Sequence, residues 1–128
     1  MTYKSEKEWF KQVDYDIGTA EAMYNSERYI YCVFMCQLSF EKSLKGLWAS
    51  KFMDDAPKTH SLKFLVSKLN LQIPEELLKC ILEIDNVSVL TRYPEELDNL
   101  YGQFTKERTS DILNNTKKGI EWLLKLKI

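Results

Sequence analysis

Helical periodicity without strand signals is the feature that most restricts the fold of this chain. Glycine and proline occur only four and three times. Runs of β-branched residues are absent, and apolar residues recur at the three- and four-residue spacing that places them on one face of an α-helix. The sequence therefore predicts an all-α fold, an up-and-down bundle of four main helices plus a short helix.

Capping residues and prolines indicate where these helices begin and end. Ser5 and Glu8 form a capping-box pattern, Ser26 is a candidate cap for the second helix, and Pro74 suits a first helical turn. The predicted helices are residues 5–25, residues 27–53, a short helix "SLKFLVSKLN" beginning at Thr59 or Ser61, a helix from Pro74 that ends near Thr91, and residues 105–126.

Length, charge and hydropathy restrict the class of protein. The 128 residues suit one domain spanning 1–128, and a net charge of −1 gives no overall attraction to nucleic acid or to anionic lipid. The longest apolar run, "YIYCVFMC" at 29–36, is well short of the about 20 residues of a membrane helix. The N-terminus lacks the apolar segment of a signal peptide. We therefore predict a cytoplasmic protein with no membrane partner.

The cysteines predict neither a disulfide nor a metal site. Cys32, Cys36 and Cys80 are an odd number in a chain without a secretion signal, which is typical of reduced thiols. Cys32 and Cys36 share a helix face, but no second Cys or His pair accompanies them. We interpret them as small buried hydrophobic residues and expect no metal or other cofactor.

Two polar residues interrupt the most apolar face of the second predicted helix. At about 100° per residue, one narrow sector of that helix contains Ile30, Phe34, Gln37, Glu41, Leu44 and Trp48. A buried carboxylate is costly unless a cation and hydrogen bonds compensate it. Glu41 therefore requires a basic partner, and the candidates are Lys45, one helical turn later, and Arg92 in "LTRYPEE".

This polar set has two interpretations. In the first, Glu41 and its cation form a structural ion pair that fixes a loop to the bundle. In the second, Arg92 and Lys45 bind phosphate in a cleft, Glu41 orients them, and Gln37 bonds to carbonyl groups freed at Pro94. His60 could cap a helix, contact phosphate or act as a general base.

Aromatic and charged neighbours complete the predicted site. Tyr93 follows Arg92 and could stack on a base. Asp16 follows the apolar pattern of the first helix and is predicted to be partly buried, whereas Lys42 lies well off the line of Gln37 and Glu41 and is predicted to be solvated. Phosphate-binding glycine loops, nucleophile elbows and zinc-binding helix motifs are absent from the sequence.

Four segments in order resemble the HEPN domain family, in particular its prokaryotic, nucleotidyltransferase-associated type. They are "YDIGTAEAMY", "CQLSFEKSLKGLW", "PKTHSLKFL" and "LTRYPEE", which together extend over nearly the whole chain. The resemblance implies an up-and-down helical bundle, a homodimer with a polar cleft at its interface, and nucleotide binding. It also implies a minimal nucleotidyltransferase as partner in a toxin–antitoxin-like pair.

The sequence departs from the ribonuclease members of that family. Those members carry a histidine four to six residues after an arginine, whereas Arg92 is followed by "YPEELD" and no histidine occurs after His60. The family's common second glutamine is Leu38 here. The main hypothesis is thus a nucleotide- or RNA-binding module without that ribonuclease activity. The alternatives are a metal-independent ribonuclease toxin with His60 as a relocated base, and a non-catalytic dimeric scaffold.

Overall fold

Six α-helices form the part of the chain that the structure describes, residues 2–93, 95 and 97–126, with Arg92 described for its backbone alone. This structure is a computed structural model. In chain order the helices are α1 (Glu6–Asn25), α2 (Tyr29–Phe52), α3 (Leu62–Leu69), α4 (Glu75–Arg92), α5 (Leu97–Gln103) and α6 (Lys106–Leu124). The predicted all-α bundle is confirmed.

The first two helices form a long antiparallel hairpin. Ser5 caps α1 as predicted, because its Oγ accepts a hydrogen bond from the amide of Glu8 at 3.2 Å. The prediction that Ser26 caps α2 is wrong. Ser26 ends α1 instead, donating its amide to the carbonyl of Ala22, and Glu27 then turns the chain with a positive φ of 62°.

The third helix begins after Ser61, one of the two predicted starting residues, and is attached to α4. The Oγ of Ser61 accepts from the amide of Phe64, and Asn70 ends α3 in the left-handed region that asparagine tolerates. Asp85 of α4 accepts from the amides of Leu62 and Lys63 at 2.9 and 3.2 Å. A carboxylate at a helix N-terminus satisfies free amides and is favoured by the helix dipole.

A short helix, α5, occupies a stretch that the sequence predicts only as a connection. Its buried residue is Leu100, and Phe104 directly after it is also buried. One inward apolar residue in a seven-residue helix is too weak a periodic signal to separate it from a turn. Thr105, at which the last helix was predicted to begin, caps α6 by accepting from the amide of Arg108 at 3.2 Å.

The central helix is α2, which packs against α1, α3, α4, α5 and α6. Small residues allow two of these approaches. A Cβ added at Gly46 would lie 2.7 Å from Cδ1 of Phe10 in α1, and one added at Gly119 of α6 would lie 2.9 Å from Cζ of Phe40. Gly46 therefore serves the packing of α1 on α2 within the subunit.

The cysteines lie in or beside this core. Cys32 and Cys36 are free and fully buried, as the interpretation as small hydrophobic residues requires, and Cys80 is half-buried. Burial raises the pKa of the Cys80 thiol to about 11. Among the helices described, none combines the length and the apolar character needed to cross a bilayer.

Candidate functional site

A buried carboxylate forms the centre of the candidate site. Glu41 lies in the middle of α2 and is only 4% exposed. Its Oε2 lies 3.0 Å from Nζ of Lys45, which is itself buried one helical turn later. The sequence predicted this pair from the four-residue spacing. The apolar face of α2 thus carries a charge pair into the interior of the domain.

His60 supplies a second contact to the same carboxylate, which the sequence did not predict. Nδ1 of His60 lies 2.9 Å from Oε1 of Glu41. Because a carboxylate can only accept, this contact assigns the proton to Nδ1 and leaves Nε2 as an acceptor in the neutral ring. The His60 side chain is 62% exposed, so the ring connects the buried acid to the protein surface.

Gln37 fixes the backbone on which His60 lies. Its Nε2 donates to the carbonyl oxygen of His60 at 2.9 Å and to Oε1 of Glu41 at 3.3 Å. Gln37 is 1% exposed, so these bonds form in a dry environment where an unpaired amide would be costly. The segment preceding α3 is therefore held on α2 through both its main chain and its histidine.

Burial and hydrogen bonding act in opposite directions on Glu41. Burial raises the pKa of the Glu41 carboxyl, but the hydrogen bonds from His60 and Lys45 and the charge of Lys45 lower it further than burial raises it. The net pKa of Glu41 lies below its ordinary value. Glu41 is therefore a carboxylate at neutral pH, poised to orient its two partners.

The structure describes only part of the predicted segment around Arg92, Tyr93 and Pro94. Arg92 is the last residue of α4, but its side chain lies outside the described residues, as does Pro94. The predicted Glu41–Arg92 contact and the predicted bond from Gln37 to carbonyls near Pro94 stay predictions. Tyr93, directly after α4, is strongly exposed, in keeping with a position at the rim.

A second ion pair joins α1 to α2 and corrects one prediction. Lys42 was predicted to be solvated, but its Nζ lies 2.8 Å from Oδ2 of Asp16 and only 20% of its side chain is exposed. Asp16 is buried, as the pattern of α1 predicted. The reason for the error is that Lys42 faces α1, and a partner in another helix leaves no mark in local spacing.

The arrangement is suited to binding anions and to positioning a proton acceptor. Lys45 keeps donor capacity beyond the bond to Glu41, since an ammonium group has three N–H bonds. The Glu41–His60 pair has the geometry in which a carboxylate orients an imidazole. Within the described residues, no group of three or more His, Cys, Asp or Glu side chains is arranged to hold a metal ion.

The protein is a small all-α bundle. Its central helix, α2, presents Gln37, Glu41 and Lys45 to the loop that carries His60. The model of the HEPN domain family matches residues 6–127. The chain therefore belongs to the HEPN domain family.

Solved structures agree with this assignment at the level of the fold. ST0689, described as an archaeal HEPN homologue, is 23% identical, with a TM-score of 0.76 over 94% of this chain and 96% of that one. TT1696 from Thermus thermophilus is 21% identical, with a TM-score of 0.77 over 93% of this chain and 95% of that one. Comparison with curated proteins gave no significant match.

Proposed function

We propose that this HEPN domain is a nucleotide- or RNA-binding module that acts with a minimal nucleotidyltransferase in a toxin–antitoxin-like pair. The observation that carries the proposal is the convergence of Gln37, Glu41, Lys45 and His60 from two separate segments. A buried acid that orients a lysine and an exposed histidine is a costly arrangement for a packing role alone. It is a favourable one for a site that receives phosphate.

Cationic groups supply the affinity in this proposal. Lys45 and Arg92 are the phosphate-binding residues, Glu41 and Gln37 orient them, and His60 and Tyr93 form the rim. The guanidinium of an arginine matches two phosphate oxygens at once, and its charge does not depend on pH in the physiological range. Arg92 ends α4, the helix whose Asp85 accepts a hydrogen bond from the start of α3, and this connection supports its inclusion in the proposal.

The sequence argues against the ribonuclease chemistry of other family members. No histidine follows Arg92, so the arginine-then-histidine motif is absent. A binding module without that activity therefore fits the residues better than an enzyme does.

Binding measurements on Arg92→Ala test the proposal. We expect affinity for a 5′-nucleotide and for a short single-stranded RNA to fall about tenfold or more, because one charge-assisted contact to phosphate contributes about 1.5–3 kcal/mol. The Tm should change little. Lys79→Ala is the control, because Lys79 is an exposed cation about 20 Å further along α4. Unaltered binding together with a large loss of stability would instead identify a structural ion pair.

One observation favours a second candidate, a ribonuclease with a relocated base. The 2.9 Å contact between Glu41 and Nδ1 of His60 leaves Nε2 of an exposed ring ready to accept a proton. Under this hypothesis, purified protein cleaves RNA without added metal and His60→Ala abolishes the cleavage. Absence of cleavage, or cleavage that survives His60→Ala, removes this candidate.

The proposed partners include a second copy of the chain. Val89, Leu90 and Tyr93 expose apolar surface at the C-terminal end of α4, and such a surface suits a protein interface. A homodimer formed there would bring two copies of the segment around Arg92 close together. Co-purification with a nucleotidyltransferase, without bound nucleotide and without nucleotide affinity, would favour the scaffold alternative.

A further inference from the structure

A pocket of about 300 Å³ lies beside Lys45. The start of the chain and of α1 forms one wall, and the loop between α2 and α3 forms the other. Its lining includes Lys4, Trp9, Lys45, Asp55, Pro57 and Lys58. Three of these side chains are lysines and one is a carboxylate, so the pocket has a net positive charge in a protein whose overall charge is −1.

Two of these ammonium groups lie near the indole ring of Trp9. Nζ of Lys4 lies 4.0 Å from the centroid of the Trp9 ring, and Nζ of Lys45 lies 5.9 Å from it. A cation over an aromatic face is attracted to the ring, but two like charges around one ring repel each other. An anion placed between them would relieve this repulsion.

Lys45 connects the pocket to the buried acid. Its side chain is 9% exposed and its Nζ bonds to Oε2 of Glu41 at 3.0 Å, so the bond to the buried acid fixes its position. An ammonium group has two further N–H bonds, and Lys45 lines the pocket. Lys4 and Lys58 are exposed and can adjust around a bound group. The pocket thus combines one fixed cation with two adaptable ones.

We propose that this pocket binds a phosphate group of the ligand through Lys4, Lys45 and Lys58, beside the indole of Trp9. The inference rests on the proposed nucleotide- or RNA-binding function and extends the site beyond the residues near Arg92. Lysine binds phosphate as a point charge, and the three lysines outnumber the one carboxylate of the lining, Asp55. The phosphate is either the terminal group of a mononucleotide or an internal phosphodiester of RNA, since both have the chemistry that the lysines recognise.

The test compares the wild type with the double variant Lys4→Gln/Lys58→Gln in calorimetric titrations at low ionic strength. The probes are 5′-AMP, an oligoribonucleotide hexamer without terminal phosphates, and adenosine. We expect the double variant to bind 5′-AMP or the hexamer about tenfold more weakly, to bind adenosine unchanged, and to keep its Tm. Loss for 5′-AMP alone identifies a terminal phosphate, and loss for the hexamer identifies a phosphodiester. The matched control is Lys79→Gln/Lys125→Gln, which removes two exposed lysines elsewhere.

Arg92→Ala separates failure of the pocket from failure of the proposed function. If Arg92→Ala weakens binding and the double variant does not, the pocket is no part of the site although the function stands. If the wild type binds none of the three probes, both are wrong. An equal loss in the control variant would show that general charge, and not the pocket, determines affinity, and would overturn the inference.

Discussion

A carboxylate in the interior needs partners that compensate for its lost hydration, and Glu41 shows which partners suffice here. Burial alone would favour the protonated acid. The ammonium of Lys45 and the imidazole of His60 donate to separate oxygens of the carboxylate and hold it in its charged form. The stability contributed by this group must therefore depend on pH.

Glu41→Gln should reveal that dependence. The folded pKa of Glu41 is lower than its ordinary 4.5, so the unfolded chain binds the proton more readily between the two values. The stabilisation is complete above about pH 4.5 and is lost as the pH falls through the folded pKa. We expect Glu41→Gln to lower the free energy of unfolding by about 1–3 kcal/mol at neutral pH. Urea unfolding from pH 7 to pH 3 measures how this difference shrinks.

Glu121→Gln is the control for that series. Glu121 also pairs with a lysine four residues later, at 3.1 Å, but both side chains are exposed. Exposed pairs at this spacing contribute only about 0.3–0.5 kcal/mol. A Glu41→Gln difference that stayed constant down to pH 3 would mean that Glu41 is not held as a carboxylate.

Local spacing in the sequence reveals some of these contacts and not others. The Glu41–Lys45 pair follows from one helical turn, and the position of Gln37 and Glu41 within an apolar face indicates their burial. The Glu41–His60 contact joins residues 19 apart, and the Lys42–Asp16 pair joins two helices. Such contacts depend on how the helices pack, which a single sequence does not encode in any local pattern.

At the scale of the helices, Asp85 links α4 to the segment that carries His60. Its carboxylate accepts from the amides of Leu62 and Lys63, the first residues of α3. We expect Asp85→Ala to lower the free energy of unfolding by about 0.5–2 kcal/mol, the range for removal of a helix cap. Hydrogen exchange at the amides of Leu62 and Lys63 should become faster.

Asn86→Ala is the matched control for Asp85, since Asn86 is the exposed neighbour on the same helix. It should leave exchange at the start of α3 unchanged. Unchanged exchange in Asp85→Ala would show that Ser61 alone suffices to hold the start of α3.

Two glycines on adjacent helices should respond in opposite directions to alanine. At Gly46, a Cβ would meet the ring of Phe10 and lie 3.1 Å from Cβ of Trp9, so α1 and α2 would have to move apart. Overpacking of this kind costs about 1–3 kcal/mol. At Gly18, within α1, nothing lies within 4 Å of the added atom. There alanine should stabilise by about 0.5–1 kcal/mol through its greater helix propensity.

Urea unfolding of Gly46→Ala and Gly18→Ala measures both effects in the same pair of helices. A stabilised Gly46→Ala would show that α1 adapts to the extra methyl group without loss of packing.

The helix ends were predictable where a side-chain cap or a proline marks them, as at Ser5 and at Pro74 before α4. Ser5 caps α1 as the sequence indicated. Ser61, one of two predicted starts of the third helix, caps α3, and Thr105, the predicted start of the last helix, caps α6. Ser26 has the chemistry of a cap, but the backbone turn at Glu27 places it after α1 and not before α2. α5 was missed because a single inward residue defines it, Leu100.

For the whole molecule, the distribution of exposed apolar side chains is uneven. Exposed aromatic and aliphatic residues are concentrated around the end of α4 and α5, including Val89, Tyr93, Leu97 and Tyr101. Leu97 and Tyr101 also line a pocket of about 400 Å³ with Tyr31. Large exposed apolar patches on a small domain mark a contact with another protein. The proposed homodimer would cover this region and leave the α1 surface in solvent.

Val89→Arg tests that dimer. Val89 is 65% exposed in the subunit, so an arginine there costs little in the monomer but would place a charge in the proposed interface. We expect sedimentation velocity to show a dimer for the wild type and a monomer for Val89→Arg, each with a normal helical circular dichroism spectrum. Tyr15→Arg is the control, because Tyr15 is 78% exposed on α1, outside the proposed interface. If Val89→Arg remains dimeric, or if Tyr15→Arg dissociates equally, the interface lies elsewhere, since a buried, unpaired charge at a true contact cannot be neutral.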